Sequence, residues 1–127
     1  MGEFLGWYKW SGCRLLFHVQ QKLRTLIAYA YQTKPSRAWR IVKAMIRKLV
    51  VAKRDFMGRE DVLSEIRLAI QNLEVARYLL LWWQKYGKFA WVDNVRFALA
   101  HVERAFVAGC PRGVEGVIEE IKGGGRI

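Results

Sequence analysis

Proline occupies only two of 127 positions, 35 and 111, and between Leu15 and Ala108 glycine appears only at 58 and 87. That interior lacks the residues that break helices, so long helices can form across most of the chain. Carboxylates are absent from KPSRAWRIVKAMIRKLVVAKR, Lys34 to Arg54, which holds eight basic side chains. Cysteine is scarce as well. Cys13 and Cys110 stand far apart, with no CxxC and no histidine at ligand spacing, which argues against a zinc site and leads us to expect two reduced thiols in a cytoplasmic protein. The longest purely apolar run, LLLWW from Leu79 to Trp83, is far short of a membrane span, so no membrane partner is expected. The apolar LLFHV is interrupted by polar residues, and no small-residue cleavage site follows it, so no secretory signal is read there.

What is present is apolar and basic. A chain of this length makes one domain that buries a core without disulfides or metals. Its hydrophobic share of 53% and six tryptophans exceed what one small monomer buries comfortably, which points to an oligomer or a large partner surface. The net charge of +11, with a pI near 10.1, points to an anionic partner. That charge is segregated: Met1 to Arg59 holds 13 basic and 2 acidic residues, while Glu60 to Ile127 holds 9 of each. Solubility alone does not require such a division.

Hydrophobic periodicity predicts four helices, at 15–31, 37–56, 60–86 and 91–109, with flexible tails at 1–14 and 110–127. In the first, Leu16, Val19, Leu23, Leu26 and Ala30 alternate spacings of three and four. The second follows Lys34-Pro35-Ser36, with Ser36 as the expected N-cap, and stops at Phe56-Met57-Gly58. The third carries a heptad seam of Val62, Ile66, Ala69, Leu73, Ala76, Leu80 and Trp83, and Gly87 ends it. The fourth places Val95, Leu99, Val102 and Phe106 on one side before Gly109-Cys110-Pro111. No strand-like alternation competes, so the expected fold is all-α, an antiparallel up-down four-helix bundle of one domain.

On a helical wheel the second helix divides cleanly. Ala38, Ile41, Val42, Met45, Leu49, Ala52 and Phe56 take one face, while Arg37, Arg40, Lys43, Arg47, Lys48 and Arg54 take most of the other. Ordinary solvated faces mix Glu with Lys to gain pairs four residues apart, and this face has no acid before Asp55. Cations spread over about 25 Å of helix can follow a phosphate backbone, positioning RNA or DNA without reading bases. Trp39 borders the apolar face, where core or subunit packing is its expected role, with base stacking the alternative. The N-terminal WYKWSG mixes Trp7, Tyr8 and Trp10 with Lys9, as single-strand-binding surfaces do, and would equally pack over the end of a bundle. In YLLLWWQKYGKFAW, Leu79, Leu81 and Trp82 join Leu80 and Trp83 to cover every direction of the helix, which one buried face cannot satisfy. A subunit interface accounts for this run better than a membrane surface, because Lys85 and Lys88 are too few for a strong lipid anchor.

Nothing in the sequence assembles an active site or calls for a cofactor or metal. His18 and His101 have no carboxylate at helical spacing, and GGGR near the C-terminus lacks the following helix and the Lys-Ser/Thr pair of a phosphate loop. The protein is therefore read as a binding protein and not an enzyme.

The basic KPSRAWRIVKAMIRKLVVAKR, the aromatic-ended EIRLAIQNLEVARYLLLWWQKYGKF and VDNVRFALAHVERAFVAG together resemble, over about Leu15 to Cys110, the accessory variability determinant proteins of diversity-generating retroelements. These are related to the four-helix proteins encoded in ribosomal RNA intervening sequences. That second branch carries a SIPxNIAEG-like segment where this chain has LVVAKRDFMG, which favours the retroelement branch; the Trp-rich N-terminal segment lies outside both. The resemblance implies a non-enzymatic bundle assembled as a homopentameric barrel, which binds the element's reverse transcriptase and engages template RNA through basic surface during mutagenic complementary-DNA synthesis. It implies RNA contact by Arg37, Arg40, Lys43, Arg47, Lys48 and Arg54, with Arg67 and Arg77 as weaker candidates.

Overall fold

A computed structural model describes residues 6–123, and the GGGR run lies mostly outside them. Among the described residues every regular element is helical. Six α-helices pack into a bundle-like fold: α1 (Gly12–Ala28), α2 (Pro35–Ala52), α3 (Glu60–Leu81), the single turn α4 (Trp83–Tyr86), α5 (Val92–Gly109) and α6 (Gly113–Lys122). Each of the four long helices packs against two of the others, α1 on α2, α2 on α3, α3 on α5 and α5 on α1, with α3–α5 the most extensive pair. Neighbours run antiparallel, as contacts at opposite ends show: Gly12 meets Asp55 while His18 meets Lys48, and Arg59 meets Ala108 while Asn72 meets Asn94.

The seam read from α3 is the core. Val62, Ile66, Ala69, Leu73, Ala76 and Leu80 are buried, opposite Val95, Ala98, Val102 and Ala105 of α5. Alternating alanines let these two backbones approach closely. The seam stops one step early. Trp82 leaves helical geometry at φ −110° and ψ 37°, and Trp83, expected in the seam, is 37% exposed. Beyond Leu80 the chain must turn back so that Trp91 can enter the core, where its ring is 1% exposed and its Nε1–H donates to the Lys88 carbonyl at 2.8 Å.

Several expected boundaries shift. Helix α2 begins at Pro35, whose fixed φ suits the first helical position, so Lys34 and not Ser36 occupies the N-cap. The described parts of the expected tails, 6–14 and 110–123, are largely structured, and the rest of each lies outside the described residues. Ser11 caps α1 by accepting from the Arg14 amide at 3.1 Å, and Trp7–Lys9 forms a short 3-10 turn before it. At the other end, α6 buries Val117, and Glu120 receives both the Ser11 amide and its hydroxyl, which ties α6 across the start of α1.

The two cysteines are not free thiols. Cys13 and Cys110 form a disulfide, with Cα atoms 5.8 Å apart. A separation of 97 residues conceals this in the sequence, but α5 ends where α1 begins, so the antiparallel topology sets the two sulfurs side by side. At the same end Phe56 is wedged between two glycines. A Cβ on Gly12 would lie 2.7 Å from its ring and one on Gly109 2.8 Å, so neither position accepts a side chain without displacing the ring.

Candidate nucleic-acid interface

The basic residues of α2 do not form one uniform face. Arg37, Arg40 and Lys48 lean toward α1, where they meet Lys22 along a groove of about 300 Å³ floored by Ile41, Ala44 and Met45. Met45 is buried, Ile41 and Ala44 are half-buried, and the small Ala44 leaves the depression between the helices. A second stretch, of about 370 Å³, continues past Lys22, Arg37 and Ile41 to Thr25, Tyr29, Gln32 and Thr33 at the α1–α2 turn. Ile41, expected in the core, is thus partly the floor of a groove.

The other predicted cations diverge. Lys43 does not line the groove and sits 4.8 Å over the Trp39 ring. Arg47 is exposed. Arg54 is engaged within the fold: it donates to the Trp10 carbonyl at 2.6 Å and lies 3.5 Å from Asp55. Among the described residues, Lys22, Arg37, Arg40, Lys43, Arg47 and Lys48 make no ion pair. Arg67 and Arg77, the weaker candidates, are paired with Glu60 at 3.1 Å and Glu74 at 2.8 Å.

Lys22 was not singled out from the sequence, although a signal for it existed. Arg14, His18 and Lys22 recur every fourth residue and so share one face of α1. At the groove's far end His18 takes a part unlike that of a lone surface histidine. Its Nε2 accepts from the Lys48 ammonium at 2.8 Å, and the Trp10 ring packs edge-on at 5.3 Å. Burial, and then the charges of Lys48, Lys22 and Arg14, lower its pKa to about 4, so the ring is neutral at pH 7. Burial and Lys22 also lower the Lys48 pKa. Arg14 stacks 4.1 Å over Trp10, and Lys48 stands 5.6 Å from the Trp7 ring. Trp7 and Trp10 pack against the core, whereas Tyr8 is 45% exposed and stacks on Trp7 at 4.1 Å.

His101 does have a carboxylate partner. Glu65, from α3, approaches its Nδ1 to 2.7 Å, a contact between helices that spacing along one helix does not reveal. Among the described residues no three of His, Cys, Asp and Glu converge as a metal site would need.

The expected interface residues gather at the opposite end of α2. Leu81 and Trp82 are exposed, Leu79 is half-buried against the core, and Trp39 lines a cleft of about 260 Å³ with Pro35, Leu80, Leu81 and Trp83. Tyr78, Tyr86 and Phe89 extend this apolar end, with Tyr31 packed edge-on to Phe89 at 4.6 Å. Among the described residues no helix is long and apolar enough to cross a membrane. Comparison with known protein families, curated proteins and solved structures returned no match to this chain.

Proposed function

We propose that this protein is a non-catalytic nucleic-acid-binding accessory subunit of the accessory variability determinant kind, a four-helix bundle that holds RNA against its α2 cations while a reverse transcriptase copies it. The observation that carries this reading is the unpaired charge on α2 and Lys22, set beside arginines elsewhere that have carboxylate partners. A row of uncompensated cations is self-repelling, and a polyanion relieves it. On this reading the exposed aromatic end from Tyr78 to Phe89 is where copies join, as a homopentamer, or where the polymerase docks. The protein works in the cytoplasm, where the glutathione pool would open Cys13–Cys110 unless the bond is strongly stabilised.

The test replaces Arg40, Lys43 and Arg47 together by alanine and measures RNA affinity at low salt, with circular dichroism to monitor the fold. Loss of binding with the helices intact supports the reading, and unchanged binding overturns it. Light scattering after size exclusion in high salt checks the assembly: a mass near five times 14.8 kDa is expected. The same aromatic end favours a second reading, a structural bundle that binds a protein partner or the ribosome and whose charge serves solubility. It predicts that the triple variant leaves RNA affinity unchanged while Leu81 and Trp82 substitutions abolish partner binding.

A further inference from the structure

We infer that the groove between α1 and α2 is a track for unpaired nucleotides, with backbone phosphates on Lys22, Arg37, Arg40 and Lys48 and bases against the apolar floor and the Tyr29 ring. This rests on the nucleic-acid reading above and names the form of polymer the site takes. Three observations support it.

The cations stand on both sides of a depression and not on a convex ridge. Lys22 comes from α1, and Arg37, Arg40 and Lys48 from α2. A helix that reads duplex inserts a convex face into a groove of the nucleic acid; a duplex, itself convex, laid across this cleft would meet its rims and leave the floor empty. A single strand is narrow enough to enter between them.

The floor is apolar. Ile41, Ala44 and Met45 offer neither charge nor hydrogen bonds, so they match the flat face of a base and not a phosphate. In a duplex those faces are already stacked on one another. Only an unpaired base has a face to give.

Aromatic rings stand at the two ends of the track. Tyr29, 57% exposed, lines the end near the α1–α2 turn, and Lys48 at the other end lies beside Trp7, whose neighbour Tyr8 is also exposed. Stacking on such rings tolerates any base, so the track binds strands of many sequences and prefers unpaired ones. The two stretches share Lys22, Arg37 and Ile41, so the path is continuous.

The experiment measures fluorescence anisotropy of the full chain with an oligouridylate of about 12 nucleotides and with a blunt RNA duplex of equal length, across a salt series. The single strand is expected to bind about tenfold more tightly, with a salt slope near −3 from four phosphate contacts. Tyr29→Ala should weaken the single strand about tenfold and leave the duplex unchanged, while Tyr29→Phe keeps both affinities. Equal or tighter binding of the duplex, or a Tyr29→Ala variant that behaves as wild type, overturns the track and leaves general RNA binding standing. Absence of binding to either RNA at low salt overturns both.

Discussion

The α1–α2 pair and the α3–α5 pair have the same build, two antiparallel helices with an apolar inner face, and treat their charges in opposite ways. On the second pair and α6, each described arginine from Arg67 to Arg112 has a carboxylate within 4.0 Å: Glu60, Glu74, Asp93, Glu65 and Glu119 in turn. Hydrogen bonds from Arg67 and Arg112 hold the Glu60 and Glu119 carboxyls below their ordinary pKa. Such exposed pairs add little stability because water and salt screen them, but they leave little excess charge to attract a polymer. On the first pair, among the described residues, Arg14, Arg24 and Arg54 alone find carboxylate partners, and those ties fix the ends of α1 and the N-terminal turn. Among the described residues the other cations of this pair have no carboxylate partner, and Lys48 has only the neutral His18 ring to donate to. A helix face that is merely solvated resembles α3–α5, and this contrast is what supports the proposal that α1–α2 meets an anion.

Matched substitutions on the two pairs would break this comparison. Lys22→Ala, Arg37→Ala and Arg40→Ala together should lower RNA affinity by about 100-fold at low salt and flatten the salt slope by about 2. Arg96→Ala with Arg104→Ala, which also removes positive charge but from paired sites, should change affinity less than threefold, roughly. Equal losses from both sets would mean that net charge alone draws the RNA, with no role for its arrangement.

The bond between the two pairs gives the next largest effect. Cys13–Cys110 closes a loop of 97 residues and anchors α1 to α5. Reduction should cost about 3 kcal/mol of stability, read as a lower midpoint in urea with dithiothreitol. RNA affinity of the reduced, folded protein should be unchanged, because the groove lies between α1 and α2 and not at this seam. A third substitution acts at the same end: Gly109→Ala pushes a methyl into the Phe56 ring and should cost about 2 kcal/mol, again without altering affinity below the unfolding midpoint. If either change weakens binding in the folded protein, the two pairs are not separable in function.

How much of this was legible in the sequence follows from the range over which each feature is encoded. The seam from Val62 to Leu80 needs only its own helix, and it was read position by position. On α2 periodicity likewise divides exposed Arg40 from buried Val42, but it does not reveal that Lys43 and Arg54 part from the other cations or that Ile41 floors a groove. The cystine, the Glu65–His101 contact and the place of Lys22 each need two helices brought together, and spacing along one helix is silent about that. Ser11 and Glu120 are similar: a cap of one helix is completed by a carboxylate over a hundred residues away, so the order at 6–14 and 110–123 was not legible from either segment alone. The break at Trp82 was missed for another reason. Leu81, Trp82 and Trp83 carry no breaker, and the turn that returns Trp91 to the core is a demand of the tertiary fold and not of the local sequence.

The smallest expected effect probes the groove from inside. His18 is neutral in the folded protein, with its pKa lowered to about 4 from 6.5 chiefly by burial and then by Lys48, Lys22 and Arg14. A base whose folded pKa lies below its unfolded value contributes stability that is complete above pH 6.5 and is lost as the pH falls toward 4, since the unfolded chain takes up the proton first. With solvent screening allowed for, that loss should be about 1–2 kcal/mol, and His18→Asn should remove the pH dependence in this window. RNA in the groove changes the balance. Phosphates beside Lys22 and Lys48 offset the charges that oppose protonation, so the bound state should hold His18 at a higher pKa, and affinity should rise several-fold as the pH drops from 7 to 5. Calorimetric midpoints against pH, paired with anisotropy titrations of wild type and His18→Asn, separate the two halves of the argument. A stability loss without a matching rise in affinity would show that bound phosphate lies away from Lys48, and would move the polymer off the α1–α2 pair toward the outer row of Lys43 and Arg47.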